Sequence, residues 1–276
     1  MNRRIGAVLL GLTAAAAAGL QAKQPETAAV VTAPVVSVLR AGGYLATPAP
    51  DDSILLSPPP PAAGSSAESR DIDGAKAALS VRGSPRWTLA QADADLAAPT
   101  ATGAFSCAAG VAIGAATTPT LDRLLHRAMT DLGRSTGVIK RAYMRPRPFM
   151  VNGQPSCTPD AEAILRRDGS YPSGHSAIGY GLGLILAELR PQQAMALVAR
   201  GRAFGDSRRI CNVHWLSDIE EGRVSATAVV ARLHAEPEFR SDMEAARKEL
   251  AGVTAAPTKC DVEAAALAAP AGLAPR

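Results

Sequence analysis

The chain has 276 residues, 47% of them hydrophobic and 20% charged, with a formal charge of +4. That is enough apolar material for one sizeable core and too little positive charge to argue for a nucleic-acid polymer as partner. Four cysteines (Cys107, Cys157, Cys211, Cys260), none in a CxxC pair, argue against zinc and for two disulfides in an oxidising compartment.

In chain order, residues 1–22 read as a secretory signal peptide. Arg3 and Arg4 precede an apolar run from Ile5 to Leu20, and small residues lead to an expected cleavage after Ala22. The run, about 16 residues, is shorter than the ~20 of a spanning helix. Its removal takes Arg3 and Arg4 from the +4 and leaves +2. No other stretch suggests membrane insertion. Residues 23–66 are rich in Pro, Ala and Ser and are expected to form an extended arm, with polyproline character at 58–61. Residues 67–276 read as a single helical domain.

Helices are expected over 70–83 and 84–98, the latter with Ser84 as cap and Pro85 at its first position. One long amphipathic helix is expected over 118–143. Leu121, Leu124, Leu125, Ala128, Leu132, Ser135 and Ile139 mark its inner face. It must stop before Pro146. Residues 175–189 form an apolar helix, and 191–211, 216–234 and 236–251 follow. Strand signals are scarce, with aromatics at only 4%. The fold class is all-α, a compact multi-helix bundle.

Three polar islands interrupt this pattern. The first, KRAYMRPRPF, holds Lys140, then Arg145 and Arg147 bracketed by prolines that stiffen the backbone. The second, GSYPSGHS, sets Ser173, Gly174 and His175 at a helix start, where free N–H groups and the positive dipole end suit an anion. The third, GDSRRICNVHWLSD, holds Arg208, His214 and Asp218. If His214 and Asp218 share the first turn of a helix, they share a face, and Asp218 can take the Nδ1 proton while Nε2 stays free. Singly, these are a solvated basic turn, an N-cap and a surface pair. Together, three of the cations (Lys140, Arg147 and Arg208), a helix N-terminus and two histidines match the needs of phosphoryl transfer.

The combination K-x6-RP, PSGH and SR-x5-H-x3-D resembles the tripartite signature of the type 2 phosphatidic acid phosphatase superfamily, which also includes vanadium-dependent haloperoxidases. All eleven specified positions are met: Lys140, Arg147, Pro148, Pro172, Ser173, Gly174, His175, Ser207, Arg208, His214 and Asp218. GSYPSGHS, FSCA at Phe105, RW at Arg86, FGDSR at Phe204 and HWLSD at His214 are similar to the bacterial class A non-specific acid phosphatases. The likeness runs over about residues 45–250, with Ser176 standing where that class usually has Thr.

The resemblance implies catalysis by His214 as nucleophile, Asp218 as its orienting partner and His175 as general acid. It implies phosphate binding by Lys140, Arg147, Ser173, Gly174 and Arg208. It implies no metal and no cofactor, an acidic optimum, a periplasmic or secreted location, and small organic phosphate monoesters as substrates. Phosphate transfer to alcohols is a variant of the same activity. Two competing readings are a vanadate-dependent haloperoxidase and a non-catalytic phosphate-binding protein of the same fold. His126 and His234 are read as ordinary helix residues and Trp87 as packing. Trp215 is read as packing or a wall of the site, and Tyr171 as the substrate entrance or else a core or hinge residue. Chain order alone suggests disulfides Cys107–Cys157 and Cys211–Cys260. A homo-oligomer stays open.

Overall fold

The computed structural model describes residues 42–45, 54–97 and 100–268. The expected export signal and most of the expected arm lie outside them. Every regular element among the described residues is helical. The longer helices are α1 (Ser66–Leu79), α2 (Pro85–Ala92), α3 (Pro119–Arg134), α4 (Gly137–Tyr143), α5 (Gly174–Leu189), α6 (Ala194–Ile210), α7 (Leu216–Leu233), α8 (Pro237–Gly252) and α9 (Cys260–Leu267). Among them, none is long and apolar enough to cross a membrane.

Side-chain caps start several of these helices. Ser65 Oγ accepts the Glu68 N–H at 3.1 Å, and Ser84 Oγ accepts that of Trp87 at 3.3 Å. α2 is shorter than its sequence suggests, because Asp93 turns inward to pair with Arg200. The long helix expected over 118–143 is two helices. Ser135 Oγ donates to the Leu132 carbonyl at 2.7 Å, and Thr136 Oγ1 donates to that of Gly133 at 3.1 Å. These hydroxyls compete with the helical ladder, and Gly137 then starts a new axis. Leu121, Leu124, Leu125, Ala128, Leu132 and Ile139 are buried as expected, whereas Ser135 at the break is only half-buried. The break carries Lys140 into the interior on α4.

α5 is the rod around which α3, α6 and α7 pack. Its glycines set the distance to α6. A Cβ on Gly201 would lie 2.5 Å from the Gly179 carbonyl oxygen, and one on Gly183 would lie 2.8 Å from that of Leu197. The two backbones therefore touch along the middle of α5, and nearer its start a Cβ on Gly205 would lie 2.7 Å from Ser176 Oγ. The main core gathers Phe105, Leu121, Leu125, Leu186, Phe204 and Phe239. A smaller cluster gathers Phe149, Ile210 and Val213 beside Cys157 and Cys211.

The disulfides are Cys107–Cys260 and Cys157–Cys211, which corrects the pairing suggested by chain order. Order along the chain does not measure distance in space. α9 returns to the start of the domain, and the turn after α6 meets the loop before residue 158, where the Cys157 N–H donates to the Cys211 carbonyl at 3.1 Å. Replacing Cys157 and Cys211 together with Ser is expected to lower unfolding stability by about 2–4 kcal/mol, read from denaturant midpoints.

The described pieces of the arm dock on the body. The Tyr44 hydroxyl donates to Asp242 at 2.6 Å, its N–H donates to Asp131 at 2.7 Å, and its ring meets Phe239 edge-on. Further along, the Pro58 carbonyl accepts the Tyr171 hydroxyl at 2.7 Å. Tyr171 is buried against Tyr143, which puts it in the core and not at an open entrance.

Candidate active site

The three polar islands meet. α4 ends at Tyr143, and Met144 adopts a left-handed backbone conformation that turns the chain. Arg147, held between Pro146 and Pro148, is 1% exposed. Its Nε donates to the Leu165 and Asp168 carbonyls. Its Nη1 meets the Val213 carbonyl and His214 Nε2, both at 3.0 Å. Its Nη2 donates to Asp168 Oδ2 at 2.9 Å and to the Gly169 carbonyl at 3.3 Å. Lys140 Nζ donates to the same Asp168 Oδ2 at 3.1 Å and to the Gly169 carbonyl.

Gly174 opens α5, with Ser173 as its N-cap. Ser173 Oγ accepts the Ser176 N–H at 3.2 Å, and the Ser173 N–H donates to the Asp218 carbonyl at 2.9 Å, tying the second island to the third. His175 lies on the first turn. Its Nε2 pairs with the Ala94 carbonyl at 3.1 Å, and its ring stacks near Phe204. Ser176, which departs from the class pattern, keeps a helix-to-helix bond to the Ile219 carbonyl at 2.8 Å.

In the third island, α6 closes just after Arg208, and Asn212 turns the chain through a positive φ. His214 is not on the helix, as sharing a first turn with Asp218 would require. It precedes Trp215, the N-cap of α7, and Asp218 sits three residues into the cap motif. Asp218 Oδ2 accepts the Trp215 N–H at 2.8 Å and meets His214 Nδ1 at 3.3 Å. A guanidinium has no acceptor, so Arg147 must donate to His214 Nε2, and the ring proton then sits on Nδ1 facing Asp218. Arg147 on one side of the ring and the capping carboxylate on the other thus fix the tautomer.

Burial dominates the electrostatics. It pushes the His214 imidazole well below its ordinary range, helped by Arg147, Lys140 and Arg208. It does the same to His175, helped chiefly by Arg208. Burial, then Arg147, lower Lys140 to about 8 and Arg208 to about 9. Burial raises the Asp218 carboxyl, opposed by Arg145 and the Trp215 N–H. Arg208 is 3% exposed, and its Nε and Nη1 have no hydrogen-bond partner. A buried guanidinium with unsatisfied donors is costly unless an anion completes it. Among the described residues, no three His, Cys, Asp or Glu side chains gather as metal ligands.

Some contributors have no role in the sequence motifs. Arg145 donates to Asp218 Oδ1 at 2.6 Å and to Asp71 at 2.7 Å, and Asp71 also takes both donors of Ser217. Asp71 lies on the buried Ala75, Ala78 stripe of α1, a pattern that signals burial but names neither of its partners. Ser207, a motif residue, is a brace: its hydroxyl donates to Asp93 at 2.6 Å and accepts from Arg86 at 3.0 Å. Trp215 is anchored by its indole N–H on the Pro146 carbonyl at 2.8 Å. His126 pairs with the Asp122 carbonyl of its own helix, and His234, the C-cap just past the end of α7, pairs with Glu188, both outside the motifs.

A sequence profile of the PAP2 superfamily matches residues 105–240. An acid phosphatase of Zymomonas mobilis is 44% identical over 170 residues, covering 62% of this chain and 64% of its own. A non-specific acid phosphatase of Salmonella typhimurium is 41% identical over 171 residues, with 62% and 68% covered. One from Providencia stuartii is 40% identical over 172 residues, with 62% and 69% covered. With its three motif islands assembled at the start of α5 and these relatives alongside, the chain belongs to the PAP2 superfamily and groups there with bacterial acid phosphatases.

Proposed function

We propose that the protein is an exported acid phosphatase, periplasmic or secreted, that hydrolyses small organic phosphate monoesters through a phosphohistidine on His214. The observation that carries this reading is Arg208, a buried guanidinium whose Nε and Nη1 lack partners, under the field of Arg147 and in electrostatic reach of both histidines. An arrangement that holds uncompensated positive charge out of water favours an anion with several oxygens. The acid phosphatase names of its relatives agree with this. So do the two disulfides and the export signal read in residues 1–22.

In this mechanism Lys140, Arg147, Arg208, the Ser173 hydroxyl and the Gly174 N–H hold the phosphoryl oxygens. His214 Nε2 attacks phosphorus as the bond to the leaving oxygen breaks, and Asp218 stabilises the imidazolium that forms. His175 gives a proton to the departing alkoxide. It then takes one from the water that attacks the phosphohistidine, which releases inorganic phosphate and restores His214. An alcohol in place of that water gives phosphate transfer.

The test is hydrolysis of a chromogenic phosphomonoester over about pH 5 to 7 with a chelator present. Turnover is expected, unaffected by the chelator. Loss of activity on chelation, or no hydrolysis in phosphate-free and vanadate-free buffer, sinks this reading.

A further inference from the structure

We propose that Asp168 is a positioning residue that occupies the phosphate clamp of the free protein and withdraws when a phosphoryl group binds. The inference rests on the phosphatase reading and deepens it. Asp168 Oδ2 accepts from Arg147 Nη2 at 2.9 Å and from Lys140 Nζ at 3.1 Å. One carboxylate oxygen therefore sits where two of the three candidate cations converge.

Arg147 has no idle nitrogen. Each of Nε, Nη1 and Nη2 has two partners within the protein. A phosphoryl oxygen reaches Arg147 only when one partner is given up. Four of the partners are main-chain carbonyls, of Leu165, Asp168, Gly169 and Val213. These belong to the main chain, and at Gly169 that chain is packed so closely on α4 that a Cβ there would lie 2.6 Å from the Lys140 carbonyl oxygen. Two side-chain partners remain. On Nη1, His214 parts from Arg147 in any case when Nε2 attacks phosphorus; on Nη2, the Asp168 side chain is 49% exposed and can swing into water, where a carboxylate is well solvated. Lys140 and Arg147, 9% and 1% exposed, cannot follow it. Arg208 lacks any such stand-in on Nε and Nη1.

The arrangement has two consequences. Lys140 and Arg147 repel one another in a poorly solvated place, and the carboxylate keeps them aligned and partly neutralised. The same carboxylate competes with phosphate for their N–H groups, which weakens product binding and speeds its release. The exchange is of hydrogen bonds only, and no covalent bond changes.

The experiment compares wild type with Asp168→Asn and Asp168→Ala. It measures inorganic phosphate affinity by calorimetry and by competitive inhibition of phosphomonoester hydrolysis. The amide keeps the shape but removes the charge, so phosphate is expected to bind about tenfold tighter, with a lower KM and a kcat reduced by slow product release. A residue that only held the cations in place would do the opposite, weakening phosphate and raising KM. Unchanged or weaker phosphate binding in both variants, with wild-type hydrolysis intact, overturns this inference alone. A wild-type protein that neither binds phosphate nor hydrolyses phosphomonoesters overturns the phosphatase reading and this inference with it.

Discussion

Replacing His214 with Ala is expected to lower kcat for phosphomonoesters by on the order of 10⁴-fold or more and to abolish any phosphoenzyme. The size follows from the role: without Nε2 there is no covalent step, and water would have to attack the substrate directly. The fold should persist, because Asp218 keeps the Trp215 N–H and Arg145 as partners when the imidazole is gone. The check is rapid quench with labelled substrate. Wild type should give a phosphoenzyme stable to alkali and lost in acid, and the variant should give none. Near-normal turnover by the variant would reassign the nucleophile.

His175→Ala is expected to cost about 10²–10⁴-fold in kcat for alkyl phosphates and far less for nitrophenyl phosphate, whose leaving group needs no proton. Equal losses for both would remove His175 from the general-acid role. The pH profile carries the same logic. Burial holds both imidazoles below their ordinary range. The depressed value of His214 keeps Nε2 unprotonated, and so nucleophilic, into acid. The depressed value of His175 means that its proton is available only on the acid side, so activity that needs it rises as pH falls from neutrality. It falls again once His214 protonates. A dianionic substrate offsets Arg208 and lifts His175 toward its ordinary range, widening that window. Stability has the related sign. Both groups are depressed in the folded state, so their contribution is present above about pH 6.5 and is lost as pH falls through the folded values.

Much of the candidate site was legible because its parts are local. Lys140, Arg147, Ser173, Gly174, His175, Arg208, His214 and Asp218 lie in three short islands whose spacing is itself the signal. The helices were legible from apolar periodicity and caps, and α2, α5, α7 and α8 start within about a residue of the positions expected for them, 85, 175, 216 and 236. Residues whose partners are far along the chain left no such mark. Asp71 reaches Arg145 and Ser217 across a sequence gap of 74 or more. Asp93 reaches Ser207 across 114. Periodicity has no term for such contacts. The helix break at Ser135 and Thr136 was missed because two hydroxyls hardly disturb an apolar stripe, yet they redirect the backbone by binding its carbonyls.

The amino-acid sequence by itself determined the helical class, the family and the cast of charged residues, because these rest on residue type and short-range spacing. Only the tertiary structure decided the pairing of the cysteines, the His214 tautomer set between Arg147 and Asp218, and the division of labour among the cations. Arg147 is fully partnered and Arg208 is not, and Asp168 stands between Lys140 and Arg147. The physical reason is that hydrogen-bond satisfaction and burial belong to places in space, where residues distant in the chain share one poorly solvated volume.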